Sequence, residues 1–175
     1  SRTDDSVLRL APGGPVFLRR ARGYAPLPLT LPVATPVPLL AVGPHLNNTF
    51  TLAHGDSAWV SPHIGDLESV EGLEHFRHTL TVYRRLFRVD PKAVAHDLHP
   101  GYLSTRFAQE LAVPTVIAVQ HHHAHIAAVM AEHGVTAPVI GVAYDGTGHG
   151  RAGTTWGAAF LKAARTDVGR LAPRG

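Results

Sequence analysis

The chain has 175 residues, of which 45% are hydrophobic and 17% charged, and its formal net charge is +3. This composition favours a globular domain with a sizeable core over a disordered chain. The absence of cysteine excludes disulfides and cysteine-bound zinc, and it fits a reducing compartment, so we expect a cytoplasmic protein.

The basic residues that exceed the acidic ones lie at the two ends of the chain, in segments 1–30 and 162–175. Because basic and aromatic residues do not interleave between these ends, we expect no nucleic-acid partner. No apolar run approaches the roughly 20 residues of a membrane span, so we expect no membrane association either. The chain begins without methionine and shows no closing element near its end, which suggests a piece of a longer protein.

The first elements in chain order are two short strand candidates, at 7–10 and 15–19, joined by a turn at 12–14. The next segment is rich in proline, with Pro26, Pro28, Pro32, Pro36 and Pro38. Proline fixes φ and removes a backbone hydrogen-bond donor, which excludes a regular central strand. We therefore predict a linker here.

Beyond residue 39, apolar strand patterns alternate with helical ones. Apolar residues at steps of three and four predict an amphipathic helix at 69–87, whose stripe belongs to the core. The other predicted elements are strands at 39–43, 49–52, 58–60, 93–96, 116–119, 139–144 and 154–161, with helices after residues 100 and 120. This alternation predicts an α/β domain with a largely parallel portion.

A run of histidines opens the third predicted helix. His121 and His125 are four residues apart, so they share one helix face and their imidazoles can meet at a single metal ion. The spacing alone leaves two alternatives open, a surface histidine cluster and hydrogen-bonded core histidines. The zinc-protease motif H-E-x-x-H is absent. Without cysteine, a metal here would have imidazole and oxygen ligands, which suits iron or zinc with open positions.

Two more polar segments, 97–100 and 145–150, directly follow predicted strands. Because ligands of α/β sheets bind at the carboxyl ends of strands, we expect both segments near the histidine run. Glycines in 145–150 allow backbone N–H groups to approach phosphate, and Asp145 is able to hold a metal. A tight hairpin without a ligand is the alternative. A strand pattern follows the glycines, so the formal G-x-G-x-x-G match does not favour a dinucleotide site.

Together and in this order, the motifs resemble the HypF family of carbamoyltransferases, which mature nickel-iron hydrogenases. The matching segments are 20–26 (RARGYAP), 63–68 (HIGDLE), 96–105 (HDLHPGYLST), 120–125 (QHHHAH) and 144–148 (YDGTG). The resemblance covers nearly the whole chain up to residue 161.

The resemblance implies an α/β fold that contains part of an actin/hexokinase-like (ribonuclease H-like) nucleotide-binding lobe, preceded by the tail of a YrdC-like α/β domain. The implied organisation is 1–30 as the C-terminal end of the YrdC-like domain, 31–38 as a proline-rich linker, 39–161 as the N-terminal part of the carbamoyltransferase domain and 162–175 as a truncated tail. Such a piece should not turn over by itself.

Members of this family make carbamoyl adenylate from carbamoyl phosphate and ATP. They then transfer the carbamoyl group to the C-terminal cysteine of the acceptor protein HypE, and the product becomes a cyanide ligand of the hydrogenase iron. The alternatives are a carbamoyltransferase with a small-molecule acceptor and a non-catalytic metal-binding fragment.

The resemblance also implies roles for single residues. His121, His125 and Asp145 match metal ligands, with a further carboxylate expected beyond residue 175. Gly146, Thr147 and Gly148 match a phosphate-binding segment, and Asp97 and His99 match positions near the catalytic site. One departure is Asn47, which stands where the family often has lysine, so a phosphate contact from this position loses its charge.

Overall fold

The computed structural model describes residues 5–146, 148–150, 155–164 and 167–171. Helices and strands alternate through the middle of the chain, which confirms the expected α/β class. The helices are α1 (Val70–Phe87), α2 (Leu103–Glu110) and α3 (His121–Glu132). The strands are β1 (Val7–Ala11), β2 (Gly14–Arg19), β3 (Leu29–Ala41), β4 (Thr51–Val60), β5 (Ala93–Asp97), β6 (Thr115–Val119), β7 (Val139–Ala143), β8 (Gly148–His149), β9 (Thr155–Trp156), β10 (Ala159–Ala163) and β11 (Val168–Arg170).

The proline-rich segment was predicted to be an irregular linker, but it lies largely in strand β3. The prolines are tolerated because the pairing of β3 with β4 is interrupted between Thr30 and Thr35 and again between Thr35 and Leu39. Only Leu39–Ala41, beyond the last proline, pairs regularly on both sides, with β4 and β5. A domain boundary in this region stays a prediction.

The main sheet has the strand order β4-β3-β5-β6. Strand β4 is antiparallel to β3, whereas β5 and β6 run parallel to it, so the sheet is partly parallel as expected. The strands predicted at 49–52 and 58–60 are a single strand, because β4 continues to pair with β3 through Gly55 and Ser57.

Helix α1 packs on this sheet, and the hydrophobic core lies between the two. The helix begins where Ser69 caps it, since the Ser69 hydroxyl accepts a hydrogen bond from the backbone N–H of Gly72 at 3.0 Å. Phe76 and Tyr83 on its buried face each meet Phe50, the residue just before β4, edge-on, at centroid distances of 5.4 and 5.3 Å. Each fully buried side chain of this size stabilises the fold by about 1.5–3 kcal/mol. The predicted stripe is therefore core.

A second sheet, with the order β11-β10-β7, packs against α3. The contact is close at Gly141, where an added Cβ would lie 2.2 Å from Cδ1 of Ile126. The strand predicted at 154–161 is divided, because β9 pairs with β8 whereas β10 pairs with β7. The described part of the predicted tail contains β11, which pairs with β10. None of the described helices has the length and apolarity to cross a membrane.

Candidate metal centre

The structure brings together polar residues from the ends of three strands. Asp97 is the last residue of β5, His121 begins α3 directly after β6, and Asp145 follows β7. The first two strands belong to the main sheet and the third to the second sheet. The predicted meeting of these segments at strand carboxyl ends is confirmed for these residues.

The histidine run begins α3, and its side chains lie in two different environments. The Oε1 atom of Gln120 accepts a hydrogen bond from the backbone N–H of His123 at 2.8 Å and so caps the helix. His121 and His125 consequently lie one turn apart on one face, with 3.3 Å between their Nε2 atoms. His122 and His123 are buried instead, and His123 Nε2 lies 2.8 Å from the carbonyl oxygen of Ala164.

Asp145 completes a group of three converging ligand atoms. Its Oδ2 lies 2.9 Å from Nε2 of His121 and 3.5 Å from Nε2 of His125. This oxygen is buried and accepts no hydrogen bond from the described residues. Tetrahedral metal sites with bonds of about 2.0–2.1 Å hold their ligand atoms about 3.3–3.5 Å apart. Two of the three separations, 3.3 and 3.5 Å, match this spacing, and the third, 2.9 Å between His121 and Asp145, is shorter. The donor set therefore fits a divalent cation once these two residues move slightly apart.

Asp97 orients His121 rather than joining this group. Its Oδ2 accepts a hydrogen bond at 2.5 Å from Nδ1 of His121, because an ionised carboxylate has no proton to donate. This hydrogen bond holds a proton on Nδ1, so Nε2 is the nitrogen that is left to bind a metal. The other carboxylate oxygen accepts from the backbone N–H of His99 at 2.8 Å.

The charges around the centre shift the pKa values of these two residues in opposite directions. Burial acts to raise the pKa of Asp97, but the hydrogen bonds from His121 and the His99 backbone outweigh it and lower the pKa below its usual value. The hydrogen bond to Asp97 raises the pKa of His121, with smaller contributions from the charges of Asp97 and Asp145. The site thus favours positive charge, as a cation site must.

The glycine segment after Asp145 leads into the β8–β9 hairpin. Gly146 faces open space, since a Cβ there would have no neighbour within 4 Å. At Gly148, by contrast, a Cβ would lie 2.5 Å from Cε1 of the His122 ring. Thr147 lies outside the described residues.

His99 belongs to a stack of rings beside the centre. Tyr102 lies between the rings of His45 and His99, at centroid distances of 5.2 and 4.2 Å, and the edge of His149 meets His99 at 5.3 Å. Burial raises the pKa of Tyr102, and the nearby Asp97 and Asp145 charges add to the shift. Tyr102 belongs to the recognised motif 96–105, but only the fold brings His45 and His149 to it.

Asn47 does not lie among the ligands. It is exposed, has a φ of 48°, and its backbone N–H donates to Oδ1 of Asp66 at 2.7 Å. Its neighbour Asn48 is fully buried and donates to the carbonyl oxygens of Val42 and Pro44. The contact between Asn47 and Asp66 joins this segment to the motif 63–68.

A cavity of about 720 Å³ lies at the opposite ends of the parallel strands. Residues just before β5 and β6 line it, among them Lys92 and Pro114, and none of the three converging residues does. The candidate site is therefore defined by the chemistry of its side chains rather than by the volume of a cavity.

Comparison with known proteins identifies the family of this chain. The family model of the HypF Kae1-like domain matches residues 34–132. The carbamoyltransferase HypF of Synechocystis sp. is 48% identical over 170 residues, which cover 97% of this chain and 22% of the relative. The probable carbamoyltransferase HypF of Methanocaldococcus jannaschii is 32% identical over 165 residues, covering 92% of this chain and 22% of the relative.

Two solved structures share the fold. A crystal structure of full-length HypF in the phosphate- and nucleotide-bound form has a TM-score of 0.91 and 48% identity, over 97% of this chain and 27% of that chain. The structure of HypF from T. kodakarensis has a TM-score of 0.85 and 42% identity, over 98% of this chain and 23% of that chain. These matches confirm the predicted nucleotide-binding lobe. This chain spans about a fifth of the length of these curated relatives, at 22%, and it belongs to the HypF family.

Proposed function

We propose that this chain forms the metal-binding part of an ATP-dependent carbamoyltransferase. The observation that carries the proposal is the convergence of His121, His125 and Asp145, with a buried carboxylate oxygen that lacks a hydrogen bond. The proposed reaction makes carbamoyl adenylate from carbamoyl phosphate and ATP and transfers the carbamoyl group to the C-terminal cysteine of a HypE-like acceptor.

Three protein ligands leave open coordination positions, as catalytic metal sites require. When bound, iron or zinc supplies a Lewis acid for a phosphate or carbamoyl oxygen. Asp97 holds a proton on Nδ1 of His121 and so leaves Nε2 as the nitrogen that would bind the metal, and His125, whose side chain is 61% exposed, forms the solvent side of the centre. In this proposal Asp97 therefore acts as a positioning residue for a ligand.

For the nucleotide we propose the segment Gly146, Thr147 and Gly148 as the phosphate-binding backbone. Two observations support it: Asp145 immediately precedes the segment, and the space above Gly146 is open. The ring of His99 contacts His149 of this hairpin at a centroid distance of 5.3 Å, and its backbone N–H donates to Asp97, so we propose that it faces the reacting groups.

We propose a polypeptide acceptor rather than a small molecule. A groove of about 320 Å³ begins beside His125 and runs between α3 and β7. Its apolar lining includes Val129, Ile140 and Val142, all partly exposed. An extended chain terminus is the acceptor shape that such a groove fits.

The wider setting is also proposed. We place the protein in the cytoplasm, where a chain without cysteine fits the reducing conditions. We retain 1–30 as the end of a YrdC-like domain and 39–161 as part of the transferase domain.

Metal titration of the purified chain tests the proposal. We expect one equivalent of zinc or iron to bind, and His125→Ala to weaken binding by on the order of 100-fold, more than the loss of a supporting contact. His133→Ala is the matched control, because His133 is an exposed histidine at the other end of the same helix. Equal binding by the wild type and His125→Ala would refute the proposed centre.

In the full-length Synechocystis relative, the substitution at the aligned position should abolish exchange of pyrophosphate into ATP in the presence of carbamoyl phosphate. Metal binding without any effect on this exchange would instead favour a non-catalytic metal-binding fragment.

A further inference from the structure

His122 is a fully buried member of the histidine run that is not a candidate ligand. Its ring lies nearly parallel to the indole ring of Trp156, with 6.1 Å between the centroids and 19° between the planes. Gly148, in the other strand of the hairpin, also lies directly against this ring. His122 thus lies beneath both strands of the β8–β9 hairpin.

The contact with Gly148 leaves no space for a side chain. A Cβ at this position would lie 2.5 Å from Cε1 and 2.9 Å from Nδ1 of His122. Gly148 is not among the glycines with positive φ, so a left-handed backbone does not explain the residue. Glycine is required here because the backbone lies directly against the imidazole.

The ring is itself fixed to the start of α3. The side-chain amide of Gln120 donates to Nδ1 of His122 at 3.0 Å, and the same side chain caps the helix through His123. A continuous set of contacts therefore leads from the helix that bears His121 to the hairpin that follows Asp145.

We propose that His122 is a positioning residue that sets the height of the hairpin above α3, and thereby the distance of Asp145 from His121 and His125. This inference rests on the proposed metal centre. It predicts that a change in the space between His122 and Gly148 alters metal coordination, not only stability.

Cobalt(II) titration of the chain tests it, because the visible spectrum of cobalt reports both its affinity and its coordination geometry. We expect Gly148→Ala to weaken cobalt binding about tenfold or more, the range found for supporting contacts of metal ligands, and to change the spectrum. Gly157→Ala is the matched control in the same region, since the nearest atom to its Cβ would be 3.9 Å away. It should bind like the wild type.

Two His122 variants separate a positioning role from a general packing role. His122→Ala in the Gly148→Ala background should restore part of the affinity, because the removed ring makes room for the new methyl group. His122→Ala alone should weaken cobalt binding and change the spectrum, because the hairpin loses the ring that supports it. Circular dichroism of each variant confirms folding.

The inference is overturned if Gly148→Ala lowers thermal stability but leaves the cobalt spectrum and affinity unchanged, or if the two substitutions weaken binding independently. A wild-type chain that binds no cobalt overturns the metal centre itself. Loss of binding in His125→Ala together with normal binding in Gly148→Ala overturns the positioning role alone.

Discussion

Nδ1 of His121 and Oδ2 of Asp97 lie 2.5 Å apart, in a hydrogen bond between the ends of two parallel strands. Both side chains are largely buried, with exposed fractions of 16% and 8%. Because Asp97 also accepts from the His99 backbone, each of its two oxygens serves as an acceptor. This arrangement holds the proton of His121 on Nδ1 before any metal binds.

Asp97→Asn should weaken metal binding about 10- to 100-fold. The amide has a single oxygen, so its NH₂ group must face either the N–H of His121 or that of His99, and the charge that favours the bound cation is lost. Competition with a chelating dye would measure the affinity. The exposed Asp56→Asn is the control, and an unchanged affinity in Asp97→Asn would contradict the orienting role.

Gly141→Ala should destabilise the chain by about 1–3 kcal/mol, the usual cost of overpacking. The new Cβ would lie 2.2 Å from Cδ1 of Ile126, which packs α3 onto β7. Urea unfolding measures the difference, and Ile126→Val in the same background should recover part of it. Gly169→Ala, whose Cβ meets no atom within 4 Å, should have no such cost.

Stability should fall at high pH because of Tyr83. Burial raises the pKa of Tyr83 to about 12, against the opposing charge of Arg20. Above the ordinary tyrosine pKa of about 10, the unfolded side chain ionises while the folded one keeps its proton. Unfolding then releases a proton, so the free energy of unfolding falls as the pH rises through this interval. Tyr83→Phe should reduce the slope, whereas Tyr144→Phe, at an exposed position, should not.

Val129→Asp should impair transfer to an acceptor protein without impairing adenylate formation. Val129 is 55% exposed and lines the groove beside His125. In the full-length Synechocystis relative, we expect kcat/KM for the acceptor to fall roughly 5- to 30-fold, which corresponds to 1–2 kcal/mol. Leu86→Asp, exposed to a similar extent on α1, is the control. Equal losses in both half-reactions would point away from acceptor binding in the groove.

Local patterns predicted much of the fold. The helix expected at 69–87 is Val70–Phe87 with Ser69 as its cap, because its signals lie within the helix itself. The pairing of β3 did not follow from sequence, since the tolerance of Pro32 and Pro36 depends on where the partner strand interrupts the ladder. The rule that proline does not occur in a central strand failed here because the pairing of β3 with β4 is interrupted near the prolines.

In the candidate metal centre, too, some features follow from local sequence and others depend on contacts between distant residues. The facing of His121 and His125 follows from helical periodicity, and their nearness to Asp145 follows from the rule about strand ends. The support beneath Gly148 and the ring stack around Tyr102 join residues far apart in the chain, so no spacing reveals them.

A single residue, Gln120, separates the end of β6 from the start of α3. With no loop to absorb movement, the two histidines are coupled to the main sheet and shift only when the strand shifts. Asp145 instead follows a strand of the other sheet and precedes a short hairpin. The distance of Asp145 from the imidazole pair therefore depends on how the second sheet and the hairpin lie against α3.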